Sequence, residues 1–585
     1  MHFDVPKAGP EPKTEWGSDV AAKVLRDLGF RYVSLNPGAS YRGLHDSLVN
    51  YLGNTDPSIL LCLHEDHVVG IAHGYAKVTG EPMACILHSN VGLMHGMMNM
   101  FNAWVDRVPM MVIGATGPVD ANKRRPWVDW VHTAADQGGM VRDIVKFDNQ
   151  PTSPEAMIEA FCRGHKLTRT KPHGPVYICL DAGLQESRID HSIDWPQFSR
   201  IQPPRAPSAG GAALDEILEL LGSAERPLLL FGRGDRSQTA WENRIALAER
   251  LGACVVTDLR TCAVFPTDHP AHVSPPMPSA SVSDRDLISA ADVIVAFEWP
   301  DLGGLTKPLA QAGGQRAKVV NVSLDHHLHN GAHMDHNQLA ECDCSVSACP
   351  DMTVVALLER LPAQHTAPWS KSRIPTRKIN ASRLTVPFVA QALREVVADP
   401  SDYAFSSICK DWPCDIWPIR DPLGYFGKDG GGGIGAGPSI AVGVALALQD
   451  TPRKTIAFLG DGDFIMGATA LWTAVKYGIP LLVLINNNRS YFNDELHQES
   501  VAVTRDRPVE NRSIGLSISG PEIDLAGLAR VQGAIGIGPI KDTADVAAAL
   551  KAGLAALDDG KVCLIDFHIN PGAERSTSAV GQRRG

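Results

Sequence analysis

A chain of 585 residues is too long for one hydrophobic core, and about three or four domains are expected of it. Its 44% apolar and 20% charged residues are those of an ordinary globular protein, and a formal charge of −11 argues against nucleic acid, whose binding rests on clustered lysine and arginine. No apolar run approaches the ~20 residues of a membrane span, and the opening MHFDVPKAGPEPKTEW lacks the charged-then-apolar pattern of a signal peptide, so a cytoplasmic protein with no membrane contact is expected.

Two proline-rich polar stretches, IQPPRAPSAGG (201–211) and LPAQHTAPWSKSRIPTRK (361–378), read as linkers. They imply domains over 1–200, 212–361 and 381–572, with linkers at 201–211 and 362–380 and a tail at 573–585. In the first domain RYVSL, ACILH, MMVIGA and VYICLD read as buried strands separated by helical stretches. PLLLFG, CVVTD, VIVAFE and KVVNVS repeat the pattern in the second, and TIAFLGD, LLVLINN and VCLIDF in the third. Strands alternating with helices predict an α/β fold of three doubly wound parallel-sheet domains, with functional loops at the carboxyl ends of the strands. The twelve cysteines lie mostly in such apolar runs, which predicts reduced core thiols rather than a disulfide framework.

Within the first domain LHEDHVVGIAHGYA (63–76) has helical spacing with hardly a polar face, so the helix is expected to be buried, with Glu65 at its mouth. An acid there suits the helix dipole on its own. In the second domain Gly232-Arg233-Gly234 follows a strand, and close backbone packing accounts for it without a dinucleotide. The segment 325–349 holds five histidines and three cysteines, but Cys342-x-Cys344-x4-Cys349 lacks a paired zinc knuckle and reads as a loop.

The third domain carries IAFLGDGDFIMGATALWTAVKYGIPLLVLINNNRSY. A right-handed strand–helix–strand crossover sets the loops after its two strands side by side. A carboxylate from Asp461 and a side-chain amide oxygen from the asparagines then face one point, an oxygen set suited to a small hard cation that shares its shell with phosphate. Upstream, GKDGGGGIGAGPSIAVG (427–443) offers backbone amides to a diphosphate at a helix start.

GDG followed by NN, with LWTA-x-x-Y-x-IP between them, resembles the motif of thiamine diphosphate-dependent enzymes, the group of acetolactate synthase, benzoylformate decarboxylase and pyruvate oxidase. The resemblance spans nearly the whole chain and implies pyrimidine-binding, central and diphosphate-binding domains, with thiamine diphosphate and Mg²⁺ as cofactors. By position it implies that Asp461 and Asn488 bind the metal through side chains and Ser490 through its backbone oxygen. Gly433, Ile434, Gly435, Gly462, Asp463, Ser406 and Ser407 would contact the cofactor, with Ile434 under the thiazolium. Glu65 becomes the glutamate that reaches the aminopyrimidine bound by another subunit, promotes its imino tautomer and so forms the ylide; a dimer or tetramer follows.

LNPGAS (35–40), LHS (87–89) and FNAW (101–104) are similar to benzoylformate decarboxylase, which makes His88 a candidate proton relay. Ala39 stands where that enzyme has its substrate serine, with Ser40 adjacent, and its second active-site histidine has no counterpart here. Asn493, Asp494, Glu495 and His497 would line the substrate pocket and disfavour an aryl group, since polar groups desolvate poorly against a phenyl ring. Gln137 is placed near the cofactor by similarity to acetolactate synthases, whose arginine-rich flavin signature is missing, so no FAD is expected. The implied reaction is decarboxylation of a small or polar 2-oxo acid to an enamine, which is protonated or trapped by an aldehyde or ketone acceptor. Two alternatives stand beside it. One is a 2-hydroxyacyl-CoA lyase or oxalyl-CoA decarboxylase, with Lys123, Arg124 and Arg125 meeting the CoA phosphates; the other is a non-catalytic cofactor-binding homologue.

Overall fold

The computed structural model describes residues 1–585 except 2, 8, 10–12, 277–281, 312–316, 326–337, 372–378, 410–411 and 570–585. The histidine-rich part of 325–349, part of the second linker and the C-terminal tail lie outside the described residues.

Three parallel sheets follow one another along the chain. The first holds β1 (Tyr32–Leu35), β2 (Ser58–Leu61), β3 (Met83–Ile86), β4 (Met110–Thr116), β5 (Asp148–Asn149) and β6 (Pro175–Asp181), in the order β2-β1-β3-β4-β6-β5. The second holds β7 (Pro227–Phe231), β8 (Cys254–Thr257), β9 (Val293–Phe297), β10 (Lys318–Val322) and β11 (Cys344–Val346), ordered β11-β10-β9-β7-β8. The third holds β12 (Tyr403–Ser407), β13 (Lys454–Gly460), β14 (Leu481–Asn487), β15 (Ile535–Ile540) and β16 (Val562–His568), ordered β12-β13-β14-β16-β15. The central strands β4, β7 and β9 are buried along their whole length, as near-continuous apolar runs covered on both faces require. The twelve cysteines are free thiols, nine of them buried. Among the described residues no helix is long and apolar enough to cross a membrane.

Gly232 closes tightly on the neighbouring strand: a Cβ there would overlap the Glu298 carbonyl oxygen and lie 2.8 Å from Trp299 Cα, so the glycine serves backbone packing. A cavity of about 400 Å³ opens above it between the first and second domains, lined by Arg107, Lys171, Arg233, Arg236, Asp235 and Asp351 among others.

The first and third domains meet through two helices. Glu65–Thr79 is buried from His67 to Ala76 apart from Tyr75, and it crosses Gly437–Leu448, which issues from the glycine-rich segment. Small residues allow the close approach. Gly74 faces the Ile440 carbonyl and Val444 N, Gly70 faces Ser439, and Gly443 faces the backbone of Ile71 and Tyr75. Lys77, 2% exposed, extends the contact by pairing with Asp106 at 2.6 Å and donating to the Lys428 carbonyl. His73 Nε2 donates to the same Asp106 carboxylate, 2.9 Å away.

Candidate active site

Glu65 is the first residue of its helix, where its charge meets the exposed amides of the first turn, and its side chain is 12% exposed. His64 caps the helix, its Nδ1 accepting from Asp66 N at 3.1 Å. One Glu65 carboxylate oxygen, Oε2, lies 3.0 Å from His95 Nδ1. The His95 ring stacks on His64 with centroids 5.0 Å apart.

His88 ends the segment after β3 and precedes the Ser89–Asp106 helix. Its Nδ1 is 2.8 Å from Ser40 Oγ, so Ser40 is buried and committed to the histidine, while Ala39 is exposed. A second imidazole, His132, stands edge-on to His88 with centroids 4.8 Å apart. Its backbone carbonyl accepts from Ser89 Oγ at 2.7 Å, and its buried Nδ1 has no partner. Burial lowers the His88 pKa, with the His132 ring and Arg125 acting in the same direction and Glu65 opposing. The ring is neutral near pH 7.

Opposite, the third domain places Asp461 immediately after β13, at the first position of a short helix, Asp461–Gly467. Pairing of β13 with β14 brings Gly460 level with Asn486, so the Asp461 and Asn488 loops adjoin. Asp461 Oδ1 accepts from Gly462 N at 3.0 Å, whereas Oδ2 is buried without a partner. Burial pushes its carboxyl up to about 6, opposed by backbone amides that include Arg489 and Ser490. Asn488 Oδ1 accepts from Ser490 N at 2.9 Å, and Arg489 adopts a positive φ of 59° that turns the loop back on Asp461. A buried carboxylate oxygen with no partner, beside an amide oxygen and a turning backbone, fits a hard divalent cation.

The glycine-rich segment fits an anion. Gly430, Gly432 and Gly435 hold φ of 57°, 73° and 100°, conformations that side chains resist. Asp463 secures the segment from below, its Oδ1 accepting from Gly435 N at 2.6 Å and Gly437 N at 3.3 Å. From the first domain Asn102 accepts from Gly431 N at 3.2 Å, and Met98 lies against Gly433. Ile434 projects from this segment 46% exposed. Ser406 and Ser407 end β12 beside β13, with the Ser406 hydroxyl buried and unpartnered. Burial pushes the carboxyl of Asp66, next to Glu65, up to about 6, and the Asp463 charge of the third domain adds to the shift.

Other expected residues are engaged by protein partners or lie at the surface. Gln137 is 1% exposed in the first-domain core, its Nε2 donating to the Ala115 carbonyl at 3.1 Å and Tyr177 Oη at 3.0 Å while its Oε1 is buried without a partner. Glu495 is 7% exposed and turned inward onto Ser490 Oγ, with Arg512 3.6 Å away. Asp494 and His497 form an exposed pair at 3.7 Å on the Phe492–Thr504 helix that also carries Asn493. Asn487, between the two metal-loop asparagines, donates to Asp566 at 2.9 Å in the sheet. Lys123, Arg124 and Arg125 are taken up locally by Ser187, the Pro118 and Val119 carbonyls, and Asp129. Sequence reasoning missed His64, His95 and His132.

Family models for the thiamine pyrophosphate enzyme match three parts of the chain: the N-terminal TPP binding domain at residues 15–140, the central domain at 214–342 and the C-terminal TPP binding domain at 408–567. The chain is 26% identical over 491 residues to a probable 2-ketoarginine decarboxylase of Pseudomonas aeruginosa, covering 81% of this chain and 82% of that one. It is 24% identical over 499 residues to the acetolactate synthase large subunit of Corynebacterium glutamicum, covering 82% and 76%. Its fold superposes on benzoylformate decarboxylase from Polynucleobacter necessarius with a TM-score of 0.80 at 20% identity, covering 96% of this chain and 99% of that one. The three sheets are the three domains of these enzymes, and the chain belongs to the thiamine pyrophosphate-dependent enzyme family that includes decarboxylases and acetolactate synthases.

Proposed function

We propose that the protein is a thiamine diphosphate- and Mg²⁺-dependent decarboxylase or carboligase acting on a small or polar 2-oxo acid. The observation that supports this reading is the helix crossing that packs the helix headed by Glu65 against the helix issuing from the glycine-rich segment, in a chain whose third domain also holds the buried, unpartnered Asp461 oxygen beside the Asn488 loop. Thiamine diphosphate, when bound, supplies the electron sink through which a 2-oxo acid loses CO₂.

This chain's residues do the rest. Asp461 and Asn488 side chains with the Ser490 backbone oxygen would hold Mg²⁺, and the amides of Gly433 to Gly435 and Gly462 would receive the diphosphate, Asp463 keeping their segment in shape. Ser406 and Ser407 offer hydroxyls at the neighbouring strand end, and Ile434 supplies an apolar support. Glu65 would hold a proton at its carboxyl for the pyrimidine ring. His88, neutral and fixed by Ser40, can accept or donate one at the substrate side of the cleft. Ser40, His88 and His132 make that side polar.

The domain limits 1–200, 212–361 and 381–572 fit this division of labour, and we place the protein in the cytoplasm, without FAD; a dimer or tetramer rests on the family resemblance alone, since the Glu65 helix and the helix after the glycine-rich segment already meet within one chain. Among the described residues only Arg125 of Lys123, Arg124 and Arg125 pairs with a carboxylate, that of Asp129, so the CoA thioester alternative keeps two exposed cations to rest on. The test is incubation with thiamine diphosphate, Mg²⁺ and a panel of 2-oxo acids, from pyruvate to basic and acidic homologues, followed by proton NMR. An aldehyde or acyloin product is expected; intact substrates alongside bound cofactor would refute the reading.

A further inference from the structure

Glu65 meets a second titratable side chain that its proposed role does not require. Oε2 is engaged by His95 Nδ1 at 3.0 Å, and His95 is 58% exposed against 12% for Glu65. One edge of the His95 ring therefore touches the carboxylate while the rest reaches solvent. The stacked His64 ring forms its other wall, and the Asp66 amide on Nδ1 leaves the His64 proton at Nε2. Gly92, one turn before His95 on the same helix, keeps the second carboxylate oxygen clear: a Cβ there would lie 3.3 Å from Oε1 and 3.4 Å from Cγ. The other titratable groups facing Glu65 are Tyr41 and His88. Neither has Oε2 as a hydrogen-bond partner: Tyr41 donates to the Asn36 carbonyl and His88 pairs with Ser40.

We propose that His95 is a positioning residue for Glu65, fixing Oε2 so that Oε1 is presented to the cleft, and that its exposed ring exchanges the Glu65 proton with solvent. The proton count balances without another reactant. Hydronium from solvent protonates Nε2 of the neutral ring and leaves as water, and the resulting imidazolium passes its Nδ1 proton to Oε2. A neutral ring with its proton at Nε2 remains, and the reverse order returns the proton to water. The proposal rests on the assignment of Glu65 to the cofactor's ring.

The test compares wild type, His95→Ala, His95→Gln and Glu65→Gln. The rate of deuterium exchange at C2 of bound thiamine diphosphate is followed between pH 6 and 8, and cofactor affinity is followed by tryptophan fluorescence. His95→Ala is expected to bind cofactor within about threefold of wild type and to exchange about tenfold or more slowly, less than the ~10²–10⁴-fold that loss of the proton-transfer group itself costs, because Glu65 remains. Added imidazole should restore part of that rate in His95→Ala, because the vacated site is open to solvent, and none in His95→Gln. In cofactor-free protein labelled at histidine Cε1, the His95 resonance should move in Glu65→Gln. Wild-type exchange in His95→Ala, a loss that imidazole does not repair, or an unmoved His95 resonance would overturn the proposal. Wild-type exchange in Glu65→Gln would instead overturn the reading of Glu65 itself.

Discussion

Substituting Gly74 by alanine tests the helix crossing on which the cleft depends. The new Cβ would overlap the Ile440 carbonyl oxygen and stand 2.9 Å from Val444 N, both backbone atoms that no rotamer change can move. Ordinary contact lies near ~3.5–4.0 Å, so the two helices must part by about 1 Å. Overpacking of this kind costs about 1–3 kcal/mol of stability. The functional cost is larger, because Glu65 begins the displaced helix and a ~1 Å misplacement of a catalytic group lowers turnover by about 10²-fold. Thermal unfolding and steady-state turnover of Gly74→Ala would be compared with Gly211→Ala, whose Cβ meets nothing within 4 Å and which should behave as wild type. A Gly74→Ala protein with unchanged stability and turnover would refute the argument that this crossing sets the cleft.

Three further outcomes follow from the same geometry. Lys77→Met leaves Asp106 buried beside His73 with its ammonium partner gone, and should destabilise by about 3–5 kcal/mol in urea unfolding while loosening the segment that begins at Lys428. Asp461→Asn removes the one carboxylate at the proposed metal position and should weaken Mg²⁺-supported cofactor binding by roughly tenfold or more, read by calorimetric titration. His272 is fully buried on Thr257, and burial lowers its pKa from 6.5 to about 3. Because the folded pKa lies below the unfolded one, the neutral ring's contribution is complete above pH 6.5 and declines as pH falls towards 3. At pH 5 the loss relative to pH 7 is about 2 kcal/mol, so His272→Gln should narrow the stability difference between those two pH values.

The strands that carry chemistry were legible because they are long and wholly apolar. TIAFLG and LLVLI announce β13 and β14, and the polar residues at their ends are the ones the fold gathers. Ser58–Leu61 and Ile535–Ile540 escaped notice for physical reasons: the first is four residues long, and the second, IGIGPI, carries glycines and a proline that read as a turn. Gln137 and Glu495 were assigned to the site by position alone. A buried amide whose nitrogen bonds Ala115 and Tyr177, or a carboxylate turned onto a serine, leaves no periodic mark in the sequence. His132 reaches His88 through a loop held by a serine hydroxyl, a contact between residues 44 apart that no local pattern encodes.

The central claim is that Glu65 governs a proton of thiamine diphosphate held by the third domain. Deuterium exchange at C2 of the bound cofactor in wild type and Glu65→Gln, each loaded with cofactor and Mg²⁺, tests it most directly. Exchange in Glu65→Gln should be slower by about 10²–10⁴-fold with the cofactor still bound. Equal rates in the two proteins would contradict the account.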